Sequence, residues 1–152
     1  MAIETLLLTV GSNAGDRVDE LTTAVLDVAR PTAASVVVLH VFDDDDFDAA
    51  TRRLEYDPAD PPSPSAVAAR LRVVRTIVDA LDDAGVDHDV RGAVGDRAES
   101  ILRAADAHDA DVVYVGGRKR SPTGKAVFGS TAQQVMLNAP CPVTFVRQGI
   151  ER

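Results

Sequence analysis

Gly116-Gly117-Arg118-Lys119-Arg120-Ser121-Pro122-Thr123-Gly124-Lys125-Ala126-Val127-Phe128-Gly129-Ser130-Thr131 follows the apolar run Val112-Val113-Tyr114-Val115 and opens a helical pattern at 129–138. A strand that ends on two glycines, then a loop that ends on a glycine and two hydroxyls, suits an anion. The glycines permit close backbone approach, and the first N–H groups of a helix are unpaired and positively polarised. Arg118, Lys119, Arg120 and Lys125 place four cations within eight residues and include both lysines of the chain. A second reading has the glycines end a strand, Ser130 cap a helix and the cations neutralise nearby aspartates. Residue chemistry alone leaves the two open.

Outward from that stretch, strand-like runs fall at 5–10, 35–41, 87–93, 111–115 and 142–147, alternating with helical patterns at 16–30, 65–84, 96–108 and 129–138. Strands that alternate with helices long enough for crossovers predict a parallel sheet in a three-layer α/β fold. Val36-Val37-Val38-Leu39 and Val112 to Val115 are continuously apolar, as strands covered on both faces should be, so both are expected near the centre. The helix at 16–30 carries Val18, Leu21, Ala24, Val25, Val28 and Ala29 on one face. The one at 65–84 repeats Val67, Leu71, Val74, Ile77, Val78 and Leu81 and stops near Gly85. Residues 42–65, with Asp43-Asp44-Asp45-Asp46 and a proline cluster, read as a polar insertion, either a lid or a solvated excursion. Four consecutive aspartates lack the alternating acids and central glycine of a calcium loop, so no metal is expected there.

The 152 residues fit one domain, 1–152. No apolar run approaches the ~20 residues of a membrane span, and Met1 leads directly into a strand without the basic start of a secretory signal, so the expected location is cytoplasmic. Cys141 is the single cysteine and is expected to be a buried small hydrophobe. The formal charge of −8 is built from 19 Asp and 5 Glu against 14 Arg and 2 Lys. An aspartate-rich, lysine-poor surface keeps a chain hydrated when molar salt cuts the screening length to ~3 Å, and it is read as adaptation to a salt-rich, halophilic setting. Nucleic acid is not an expected partner, because phosphate neutralisation needs many cations on one face.

In an open α/β sheet a ligand binds beyond the carboxyl ends of the strands where the strand order reverses. The loops at Gly11 to Asp16 and Gly116 to Ser130 qualify, and neither has the spacing of a dinucleotide fingerprint or a Walker loop. His40 and His88 fall in strands and His108 late in a helix. All three read as structural, since no serine or cysteine lies in an activating context.

The stretch from Gly116 to Thr131, continuing into Ala139-Pro140-Cys141-Pro142-Val143, resembles the C-terminal half of universal stress proteins; Gly11-Ser12, Leu39-His40-Val41 and Asp111 to Gly116 fit as well. The resemblance implies a Rossmann-like five-stranded parallel sheet in the order 3-2-1-4-5, a homodimer paired through the strand at 142–147, and members that either bind ATP or do not. The ATP-binding pattern is G-x2-G-x9-G-(S/T). Here it reads Gly116-x2-Lys119-x9-Gly129-Ser130, with lysine in place of the second glycine, and Val10 stands where the family places an aspartate. Carried over, the implied site is Thr9, Val10, Val41, Val115, Gly116, Lys119, Gly129, Ser130 and Thr131. Gly116, Gly129, Ser130 and Thr131 meet phosphates and ribose, and the Val41 backbone meets adenine. Three functions follow: a non-enzymatic regulatory module that binds ATP, a dimer of the same fold that binds no nucleotide and acts as a scaffold, or, last, an enzyme with at most slow ATP hydrolysis.

Overall fold

The computed structural model describes residues 2–11, 18–116 and 129–146. Strands β1 (Thr5–Thr9), β2 (Ser35–Phe42), β3 (His88–Val94), β4 (Val112–Gly116) and β5 (Val143–Val146) form one sheet in the order β3-β2-β1-β4-β5. Every pairing is parallel. The order implied by the resemblance is the order observed.

Helices α1 (Val18–Thr32), α2 (Asp44–Arg53), α3 (Pro64–Arg70), α4 (Arg72–Asp83), α5 (Arg97–Ala107) and α6 (Ser130–Asn138) connect and flank the strands. Alternation along β1 divides the core. Leu6 and Leu8 meet α1 and α4 through Leu21, Val25, Val74, Ile77 and Leu81. Leu7 faces the other way, to α5 and α6 through Ala98, Ile101, Ala105, Ala132 and Val135. Because successive strand side chains point to opposite faces, an unbroken Leu-Leu-Leu run needs apolar cover on both. Each fully buried leucine contributes roughly 1.5–3 kcal/mol.

Three expectations are revised. Four helices were expected; the described residues contain six. The segment at 42–65, read as a polar insertion, contains a helix at its start, because Asp43 caps α2: its carboxylate accepts the Asp46 N–H at 2.7 Å, with Asp44, Asp45 and Asp46 in the first turn and Arg52 and Arg53 in the last. Acids at the positive end and bases at the negative end favour the helix. Phe47 and Ala50, with Leu54 just beyond, turn inward onto Phe42, Val67 and Ala68.

The single helix expected at 65–84 is two. Leu71 is extended (φ −68, ψ 138) between α3 and α4. The break follows the packing: Val67 and Ala68 belong to the Phe42 cluster, whereas Val74, Ile77 and Leu81 belong to the main core. Two separate apolar surfaces are satisfied by two helix axes. Ser63 caps α3 by accepting the Ala66 N–H, with Pro64 at the first helical position, where its missing N–H costs nothing.

Candidate functional site

Strand order reverses between β1 and β4, because β1 connects through α1 to β2 on one side and β4 connects through α6 to β5 on the other. Thr9, Val10, Val41, Val115 and Gly116 all lie at the carboxyl ends of β1, β2 and β4, and Gly129, Ser130 and Thr131 open α6. Lys119, with the rest of 117–128, lies outside the described residues.

Thr9 is buried, and its Oγ1 donates to the Tyr114 carbonyl at 2.8 Å, tying β1 to β4. Val10 is buried too, its side chain in the core layer that holds Leu8 and Tyr114. Val41 and Val115 face the opposite layer, with Ala132 of α6. These valines offer a ligand backbone and apolar surface rather than side-chain polarity.

The β1–β2 ladder ends in an irregular way. The last register pair is Thr9 with Leu39, and the Val10 N–H donates to the Leu39 carbonyl at 2.9 Å. In a parallel ladder the next rung would be the Val41 N–H donating to the Val10 carbonyl. That rung is absent among the described residues. The Val10 carbonyl instead accepts from His40 Nδ1 at 2.8 Å. A carbonyl only accepts, so Nδ1 carries the proton. His40 is 3% exposed. Burial, aided by the positive charge of Arg97, lowers its pKa below the ordinary histidine value; the Val10 bond and the Asp46 charge oppose the shift. Its ring also meets Phe42 edge-on at 4.5 Å between centroids.

Gly129 stands at the N-cap of α6 in extended conformation (φ −68, ψ 161) with no side chain to cap the helix, and no acid lies in the first turn. By contrast, α2, α3 and α5 are capped by Asp43, Ser63 and Asp96. An uncapped amino end leaves N–H groups to meet an anion.

Arg97 at the start of α5 reaches Asp46 of α2 at 3.9 Å, an exposed and weak pair that links these helices at the rim. Tyr114 is buried beneath the switch point, its hydroxyl pKa raised by burial and then by the Asp27 charge. Cys141 is half-buried rather than fully buried, and burial, followed by the charges of Asp111 and Asp106, raises its pKa. Its thiol therefore stays protonated and unreactive at neutral pH. Among the described residues no cluster of His, Cys, Asp and Glu could hold a metal, and no helix is long and apolar enough to cross a membrane.

The sequence reading took His40 as structural without foreseeing its partner, the Val10 carbonyl. The signal was there: a ring placed in Val36-Val37-Val38-Leu39-His40-Val41-Phe42, in a strand covered on both faces, must find a partner, because an unpaired buried polar group is costly.

The universal stress protein family model matches residues 4–147, and the chain belongs to that family. A universal stress protein of Mycolicibacterium smegmatis is 40% identical over 80 residues, which make up 52% of this chain and 62% of that protein. Among solved structures, the Archaeoglobus fulgidus universal stress protein in complex with dAMP superposes with a TM-score of 0.62 at 20% identity, covering 96% of this chain and 99% of that one. A universal stress protein family protein of Arabidopsis thaliana with AMP bound gives a TM-score of 0.65 at 16% identity, covering 96% and 92%. At these identities the structural likeness speaks for the fold.

Proposed function

We propose that the chain is a regulatory module that binds an adenine nucleotide, with ATP as the expected ligand, at the β1–β4 switch point. The observation that carries this reading is two backbone donor sets at the carboxyl end of the sheet, the Val41 N–H at the end of β2, with no partner among the described residues, and the uncapped amino end of α6 at Gly129, Ser130 and Thr131. The first suits a base ring nitrogen and the second a phosphate. Relatives of the same fold hold AMP and dAMP, which supports an adenine nucleotide as the ligand class. Lys119 takes the place of a loop glycine and serves as a phosphate partner or is dispensable. The protein is proposed to work in the cytoplasm as a homodimer joined through 142–147.

The test is calorimetric titration with ATP in molar salt, followed by thermal melting. Binding predicts a rise in Tm, since ligand at ~100 times Kd stabilises by about 2.7 kcal/mol. No heat and no Tm shift at millimolar ATP would overturn the reading. Gly129→Val should abolish binding, and Lys119→Gly should retain it unless the lysine has become a phosphate ligand.

A second reading, a dimeric scaffold without nucleotide, is favoured by one feature. The Thr9 hydroxyl and the Val10 carbonyl are both engaged internally, and Val10 has no polar side chain to offer a base. Absence of ATP binding together with a stable dimer would support it.

A further inference from the structure

We infer that His40 is a positioning residue which, by holding the Val10 carbonyl, keeps the Val41 N–H open at the switch point for an acceptor atom of the ligand. The inference rests on the nucleotide reading for its ligand, and on strand geometry for the rest.

Alternate residues of β2 serve the two neighbouring strands. Ser35 donates to the Glu4 carbonyl and Leu39 accepts from Val10, whereas Val36 donates to the Asp87 carbonyl and Phe42 accepts from Gly95. The odd residues therefore address β1 and the even ones β3. Val41 is odd, so its N–H points toward the β1 side, where the Val10 carbonyl is the natural acceptor. That carbonyl is taken by a side chain from the neighbouring residue, His40, at 2.8 Å. The ladder stops one rung early, and the donor left over belongs to the residue whose backbone the family resemblance assigns to adenine. An apolar residue at position 40 would release the carbonyl, and the sheet would close by one further rung.

The environment holds the histidine in this role. Phe42 packs against the ring edge, and Arg97 and Asp46 are the charged groups near it. Protonation would leave the Nδ1–H bond in place, since both ring nitrogens of the cation are donors. The device is therefore steric and hydrogen-bonded rather than a charge switch.

Amide hydrogen exchange, followed residue by residue, tests it. In His40→Phe the Val41 amide should exchange more slowly than in the wild type, on the order of tenfold, because it gains a strand partner, while the Leu7 amide is unchanged. Affinity for ATP, used as the probe, should fall by about tenfold over the same substitution. His40→Asn, which keeps a donor nitrogen near the position of Nδ1, should restore both. The sign separates the proposal from a merely structural role, in which Val41 would exchange faster along with the strand as a whole. Faster or unchanged exchange at Val41, or unaltered ATP affinity in His40→Phe, would overturn it. If the wild type binds no ATP, the functional reading fails and the exchange arm alone decides the inference. Should His40→Phe not fold, the imidazole nitrogen shifts of the wild type decide: a proton on Nε2 instead of Nδ1 overturns the proposal.

Discussion

At one edge of the sheet, β3 runs under α3, and its outward-pointing Gly92 N–H donates to Ser65 Oγ at 3.0 Å. At the other edge, β5 has four residues and Thr144 is exposed. Near it, Leu137 at the end of α6 is 83% exposed. An edge strand presents unpaired backbone groups that invite another chain, and covering it is the usual remedy. The chain spends α3, and the Ser63-Pro64-Ser65 turn that starts it, on closing the β3 edge. In the proposed homodimer a second copy would meet the chain at β5. Pro64, the last proline of the cluster, starts the helix that lies over the β3 edge.

The contact at the covered edge is close enough that one atom should break it. A Cβ on Gly92 would stand 2.1 Å from the Pro64 carbonyl oxygen, a backbone atom that cannot swing aside. Gly92→Ala is expected to cost about 3 kcal/mol by forcing α3 off the strand, and urea unfolding would measure it. A loss under ~1 kcal/mol would mean that α3 is only loosely laid on β3. The β5 edge answers to charge instead. Thr144→Lys should weaken self-association by about tenfold, or ~1.4 kcal/mol, and leave the fold intact, as read by light scattering against concentration. A wild-type protein that is monomeric at micromolar concentration would remove the proposed role of that edge.

A smaller effect returns to β3. Ser65→Ala deletes the acceptor of the Gly92 N–H and should cost about 1 kcal/mol in the same unfolding assay. The smallest effect belongs to the amino ends of β1 and β4, between the two edges, and serves as a control for both. The Asp111 carboxylate accepts the N–H groups of Glu4 at 2.8 Å and Thr5 at 3.0 Å, and these bonds hold its pKa below the ordinary carboxylate value. The folded state therefore binds its proton less readily than the unfolded one. The contribution is present above the unfolded pKa and lost as pH falls through the folded value. Asp111→Asn should flatten the acid limb of the stability curve without altering dimerisation or the β3 edge; an unchanged acid limb would show that the group contributes nothing to it.

Much of this architecture was legible in the residues. Leu6-Leu7-Leu8 and Val36 to Leu39 marked strands with cover on both faces, and glycine, serine and threonine at 129–131 marked a helix opening suited to an anion. The α2 helix was not legible by periodicity, since only Phe47, Ala50 and Leu54 carry its apolar stripe through a run of acids. Its evidence lay in capping: Asp43 stands three residues before the N–H it accepts. The break at Leu71 was hidden for the opposite reason. The repeat from Val67 to Leu81 continues through it in the sequence, and only the position of the Phe42 cluster divides it.

By itself, then, the sequence determined the alternation of strand and helix, the parallel sheet, the family and the loops where a ligand would sit, because these follow from local periodicity, turn chemistry and motif spacing. Tertiary structure decided what no spacing encodes: which edge is covered, where a helix divides between two cores, and which carbonyl His40 takes. Those outcomes depend on groups far apart in the chain meeting, as the His40 ring and the Val10 carbonyl, 30 residues apart, meet at 2.8 Å, and such a meeting exists only once the sheet has formed.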